Sequence, residues 1–355
     1  MPTRPLRLPA EWEPQSGVML TWPHANSDWA DRLDVVHPVF ATIGSAITGH
    51  ECLLSVCQSM PHAALVERLL CENGARTDRL LFAIADSNDT WARDHGPLTV
   101  LGDTGATLND FHFNGWGGKF ESVLDNAIPA RLHRKGSFGT ATIQPRDLVL
   151  EGGAVETDGA GTLLATRKTV MNANRNPGMN QPAIEGLLTE WLGFERFLWL
   201  DHGDISGDDT DGHIDTLARF ADPGTILHAT APPGDRDHQA LTKMARQLEG
   251  FTTRDGLPYR LLPLPFAGVH VDENGRRLPA TYANFLIVND AVLLPVYDVP
   301  QDEEAITIVG DAFPDRQIMP IDCRQIIVQS GSLHCLTMQF PAELVLHDTL
   351  ELFGA

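Results

Sequence analysis

Five short segments put a reactive or polar residue beside glycine or at the end of an apolar run: NDTWARDHGP (88–97), LEGGAVETDG (150–159), DDTDGHIDTLARF (208–220), ATYANFLIVND (280–290) and SGSLHCLTMQFP (330–341). Cys335, which follows Gly331 and His334, is the candidate nucleophile, because a thiolate attacks electron-poor carbon that water attacks poorly. The ordinary alternative is a small buried hydrophobe, the commonest fate of a free cysteine. His213 is the candidate general acid/base; its alternative is a solvated residue in an acidic loop. From Asp94 to Glu151, His213, Asn284 and Cys335 the steps are 57, 62, 71 and 51 residues. That is one polar residue per α/β unit, and a ring of five such units around a central site would produce this spacing.

The elements between these segments agree with small repeated α/β units. Amphipathic helices are expected at 62–71, 181–192, 237–249 and 302–312. The second has Asn180 as N-cap, Pro182 in its first turn and Gly193 at its end. Strands are expected at 17–22, 51–57, 147–150, 162–166, 225–230, 285–288, 291–296 and 325–329. Residues 154–166 and 285–296 read as hairpins, turning at Asp158–Gly161 and Asn289–Asp290. Hairpins alternating with helices favour repeated units over one doubly wound sheet.

Composition narrows the class. A formal net charge of −21 argues against a nucleic-acid partner and is compatible with a cationic one; the ordinary alternative is acidity that only keeps the protein soluble. The five cysteines are odd in number and never spaced CxxC, so neither a disulfide framework nor a structural zinc site is expected. No signal peptide and no apolar stretch of spanning length is present, so the expectation is a cytoplasmic protein without a membrane partner. Asp208, Asp209, Asp211, His213 and Asp215 resemble a metal loop, but the glycine and terminal glutamate of an EF-hand are missing, as is HExxH. No metal is expected.

Taken together, WARD-x-GP, LEGG, DGHID and a late G-x-x-HC resemble the guanidino-group-modifying superfamily, and more narrowly its agmatine deiminase and bacterial peptidylarginine deiminase-type branch. The resemblance runs from PAEWEPQ to HCLTMQFP, nearly the whole chain. It implies an α/β fold, a five-bladed pseudo-symmetric α/β propeller (pentein-like), with residues 1–355 as a single catalytic domain. It implies a hydrolase without cofactor, Cys335 as nucleophile and His213 as acid/base oriented by Glu151. Asp94 and Asp215 become bidentate clamps for a guanidinium. Their alternatives are a pairing of Asp94 with Arg93 or Arg219, and Asp215 as a helix cap or solvated acid.

The implied partner is a small cationic guanidino compound, and a homodimer is expected by analogy with relatives that pair. Agmatine is the expected substrate and N-carbamoylputrescine, an intermediate of putrescine and polyamine synthesis, the expected product. In relatives that act on C-terminal peptide arginine, two arginines follow the substrate aspartate in a segment resembling FNGWGGKF (113–120). Here the matching positions are Gly115 and Gly117, with only Lys119 nearby. Trp91 and Trp116 are candidate walls for the alkyl chain, and Asn284 a further polar contact. Gln15 stands where many relatives carry histidine. Deimination of free or peptidyl arginine, amidino transfer to an acceptor amine, and a non-catalytic polyamine-binding propeller are the competing readings.

Overall fold

The computed structural model describes residues 5–350. They form two compact units: the residues up to Gly152 together with those from Cys335 on, and Gly153–His334. The class is mixed α/β, as expected. Among the described residues no helix is long and apolar enough to cross a membrane.

The first unit holds two sheets. In one, the order is Thr337–Pro341, Gln15–Thr21, Cys52–Cys57, Leu80–Ile84. Its first pair is antiparallel and the others parallel. The helices Leu33–His50 and Met60–Glu72 make the parallel crossovers. The central run CLLSVC is buried almost throughout, as a parallel strand covered on both faces must be. In the other sheet Leu98–Gly102 pairs antiparallel with Gly105–His112, which pairs parallel with Thr142–Val149. The expected strand at 147–150 is the buried end of this longer strand, whose exposed, polar beginning carries no apolar signal.

The second unit holds three sheets with the same rule, an antiparallel pair and then a parallel partner. They are Glu156–Thr157, Thr162–Thr166, Arg196–Leu200; Ala218–Asp222, Thr225–His228, Arg260–Pro263; and Leu286–Val288, Ala291–Val296, Gln317–Asp322. Helices Gln181–Leu192, His238–Glu249 and Gln301–Ala312 supply the crossovers. A small ribbon, His270–Val271 with Arg277–Leu278, stands apart from the pattern. Both expected hairpins form in register, Glu156 opposite Leu164 and Leu286 opposite Leu293.

Helix Gln181–Leu192 shows why the local reading worked. Asn180 Oδ1 accepts the N–H of Ala183 at 3.1 Å, and Gly193 closes the helix at φ 77°. Ile184, Leu188 and Leu192 are buried, each contributing roughly 1.5–3 kcal/mol. The expected strand at 325–329 does not form. Ile326 and Ile327 both donate to Cys323 O, and Ile327–Gln329 is a 3-10 turn that ends at Ser330 with φ 67°. The strand here is Gln317–Asp322, which alternates buried and exposed positions too weakly to announce itself.

Candidate active site

In the first unit Asp94 sits in a single helical turn, Ala92–His95, and is 4% exposed. Its frame is built just upstream. Asn88 Oδ1 accepts the N–H of Leu124, while the Asp125 carboxylate accepts those of Asn88 (2.7 Å) and Asp89 (3.2 Å). Asp89 in turn receives the indole N–H groups of Trp29 and Trp91, each at 3.0 Å. Trp91, expected along the alkyl chain, therefore has its N–H turned to Asp89 and its ring 6.0 Å from that of Trp29.

Trp116 donates its indole N–H to Asp94 Oδ2 at 2.9 Å. It does so from φ 56°, ψ 48°, a left-handed conformation that costs a bulky residue about 1–2 kcal/mol. Edge-to-face contacts with Phe113 (5.0 Å) and Phe120 (5.5 Å) hold it there. Gly115 must be glycine: at φ 68° its Cβ would lie 2.2 Å from the Phe120 carbonyl oxygen. Arg93 faces Glu11 at 3.7 Å, and Arg219 donates to Glu156 at 2.8 Å. His95 is buried beside Thr21, and burial pushes its pKa down to about 3, so it stays neutral.

Glu151 is fully buried and leads into the turn Gly152–Ala154. A Cβ on Gly152 would lie 2.2 Å from the carbonyl oxygen of Arg93 and 3.0 Å from Met338 Cε. Met338 Sδ also lies 3.9 Å from Arg93 Nη1. Met338 is in the strand that begins two residues after Cys335. The segments that carry Asp94, Glu151 and Cys335 thus meet, through their neighbours, within one unit. Cys335 is 3% exposed. Gln15, at the start of the adjoining strand, donates to Glu11 O at 2.6 Å.

The second unit collects His213, Asp215 and Asn284. Asp208 shapes the approach: its carboxylate accepts the N–H groups of Thr210 (3.1 Å) and Gly212 (2.8 Å). Asp211, at φ 69°, pairs with Arg175 at 2.8 Å. Two acids of the apparent metal loop therefore brace the turn that delivers His213. His213 is fully buried, with its N–H on Thr210 Oγ1 and its carbonyl on Thr216 Oγ1.

Asp215, also fully buried, is no solvated acid, and the residue at the cap of its own turn is His213. Its Oδ2 lies 2.8 Å from His334 Nδ1. Burial alone would raise the Asp215 pKa. The hydrogen bond and charge of His334, with the charges of His213 and Arg219, outweigh it and hold the carboxyl below its usual range. Asn284 connects backbones, donating to Asp215 O at 3.3 Å and accepting the His334 N–H at 2.9 Å.

Sequence reasoning passed over His334, Asn88, Asp89 and Asp125. The only available signals were the polar pair Asn88-Asp89 ahead of WARD and the histidine beside the candidate thiol.

Repeated hairpin-and-crossover sheets, with a buried cysteine, histidines and carboxylates on the segments that join them, define a mixed α/β protein with candidate sites for chemistry. The chain belongs to the Porphyromonas-type peptidyl-arginine deiminase family, whose model matches residues 7–341. It is 32% identical over 364 residues to the agmatine deiminase of Pseudomonas aeruginosa (strain LESB58), covering 95% of each chain. Among solved structures it is similar to a Porphyromonas gingivalis protein provisionally named an arginine deiminase, at 47% identity and TM-score 0.89, covering 96% of this chain and 99% of that one. It is also similar to a cysteine-to-serine form of C. jejuni agmatine deiminase with substrate bound, at 33% identity and TM-score 0.86, covering 94% of this chain and 96% of that one.

Proposed function

We propose that this chain is an agmatine deiminase, an amidine-hydrolysing enzyme that converts agmatine and water to N-carbamoylputrescine and ammonia. The observation that carries the reading is the meeting of the Asp94, Glu151 and Cys335 segments around Gly152, Arg93 and Met338. His334, which bonds Asp215, is joined to Cys335 by a peptide bond. The substrate-bound C. jejuni relative, with a serine in place of a cysteine, supports a thiol as the reacting group.

In this mechanism Asp94 and Asp215 grip the guanidinium by paired charge-assisted hydrogen bonds and orient its carbon. The Cys335 thiolate adds to that carbon. The C–N bond to one terminal nitrogen breaks as His213 protonates it, and ammonia leaves an amidino-cysteine cation. His213, now neutral and oriented by Glu151, takes a proton from water. The hydroxide adds, the C–S bond breaks to regenerate the Cys335 thiolate, and the hydroxyl proton passes to the released ammonia, which leaves as ammonium, so that the ureido product departs with the water oxygen as its carbonyl. Asn284, Trp91 and Trp116 serve the remainder of the substrate site in this reading, and the chain works without a cofactor. The fold that goes with it is a five-bladed propeller acting as one catalytic domain; the strand rule shared by five of the six sheets among the described residues supports it.

Agmatine is favoured over arginine because the Gly115–Gly118 loop beside Asp94 offers no arginine for a substrate carboxylate. The second reading, deimination of free or peptidyl arginine, draws on the family's description and the P. gingivalis relative. Ammonia and ureido product measured with agmatine, arginine and an Arg-terminated peptide separate the two. Agmatine is expected to have the highest kcat/KM, and Cys335→Ser to lower it roughly 1000-fold or more. Preference for the peptide, or full activity in Cys335→Ser, overturns the proposal.

A further inference from the structure

Asp215, Asn284 and His334 close a ring of hydrogen bonds. The side chains of Asp215 and His334 meet at 2.8 Å. The His334 N–H is shared between Asn284 Oδ1 at 2.9 Å and the Asn284 carbonyl at 3.1 Å. Asn284 Nδ2 completes the ring on the Asp215 carbonyl. All three residues are buried, His334 at 1% exposure. Further ties hold the same backbone: Thr281 Oγ1 donates to Thr216 O, and the Tyr297 hydroxyl joins Thr281 O to Ser332 Oγ.

An ionised carboxylate only accepts hydrogen bonds, so the hydrogen in the Asp215–His334 contact sits on Nδ1. A carboxylate is otherwise able to turn about its Cβ–Cγ bond, and a turn of a few tens of degrees spoils a two-point grip on a planar cation. The ring removes that freedom at both ends: Asn284 fixes the Asp215 backbone and His334 fixes Oδ2. Of the other charged groups acting on Asp215, Arg219 is directed to Glu156 and Phe285 O, while His213 bears on it through its charge.

We infer that His334 is a positioning residue for the reaction: by holding Oδ2 of Asp215 it sets the direction in which Oδ1 meets the guanidinium. This rests on the reading of Asp215 as a substrate ligand. Two variants of the full-length protein test it. His334→Asn keeps an N–H donor close to the Nδ1 position, whereas His334→Leu removes it. The Leu variant is expected to raise KM for agmatine roughly 10- to 100-fold, with a smaller change in kcat, and the Asn variant to recover most of the loss.

A merely structural histidine would instead lower the unfolding midpoint of both variants and leave KM unchanged, which overturns the inference. So would an equal KM defect in both. Proton NMR gives a readout independent of turnover. The wild type should show a slowly exchanging downfield imidazole N–H resonance that disappears in both His334 variants, and its absence from the wild type overturns the inference as well. A wild type that turns over no guanidine sinks the deiminase reading; an active wild type with unresponsive His334 variants sinks only the positioning role.

Discussion

A single N–H group couples the left-handed loop to Asp94, the carboxylate proposed as a guanidinium clamp. Trp116 is held at φ 56° and delivers its indole N–H to Asp94 Oδ2 at 2.9 Å. Trp116→Phe keeps the ring and the backbone demand but leaves a buried carboxylate one donor short. Hydrogen bonds to charged groups are worth about 1.5–3 kcal/mol, so kcat/KM for agmatine should fall roughly 10-fold or more. Steady-state kinetics with unchanged values would show that the indole serves packing alone. The candidate residues could be picked out because thiol, imidazole and carboxylate types stand near glycines at regular intervals. Their supports could not. Nothing local in the sequence says that Asp125 braces Asn88, or that Asp89 holds the indole of Trp29, because these partners lie 37 and 60 residues apart. For Trp91 the residue type suggests a channel wall but does not reveal that its N–H is held by Asp89.

At the level of elements, two substitutions should part stability from activity. Asn180 caps helix Gln181–Leu192 through Ala183 N–H, and neither residue belongs to a motif segment. Asn180→Ala should cost about 1 kcal/mol, seen as a lower urea midpoint with unchanged slope, and leave kcat untouched. Gly152→Ala should do more, because its Cβ would meet the backbone of the Asp94 turn, which cannot swing away as a side chain can. A destabilisation of about 1–3 kcal/mol with a disproportionate loss of kcat/KM is expected, since the clash falls between Glu151 and Asp94. Wild-type kinetics in that variant would refute the tight stacking of the two turns. The same local physics explains which elements could be read. Caps, turn residues and apolar periodicity fixed helix 181–192 and both hairpins. Helix Leu33–His50 was hidden by Pro38, which reads as a break, and 325–329 was misread because a short apolar run is buried equally well as strand or turn.

For the whole molecule the decisive quantity is where acids are placed. Among 47 acidic residues, Asp125 and Asp215 are both buried but are tuned in opposite directions. Asp215 sits below its usual range, so its contribution to stability is complete at neutral pH and is lost only as pH falls through its folded-state value. Burial pushes Asp125 from 3.8 up to about 8; nearby Asp89 and Asp28 add to the rise, against the pull of the Asn88 and Asp89 N–H groups. Between those two values the folded chain keeps a proton that the unfolded chain has released. Raising the pH through this window therefore favours unfolding, and the loss levels off once the folded carboxyl ionises. Apart from Asp89 and Asp28, which interact with Asp125, the ionisable groups titrate in wild type and variant alike, so the useful measurement is a difference. Asp125→Asn removes the buried charge while its amide oxygen can still accept from Asn88. Its Tm relative to wild type should rise steadily between about pH 5 and about pH 8.5, with little gain at the acid end, where Asp125 is already protonated. A difference that stays flat across the range would mean that Asp125 ionises at the same pH folded and unfolded, and that the brace beneath the Asp94 turn bears no buried-charge strain.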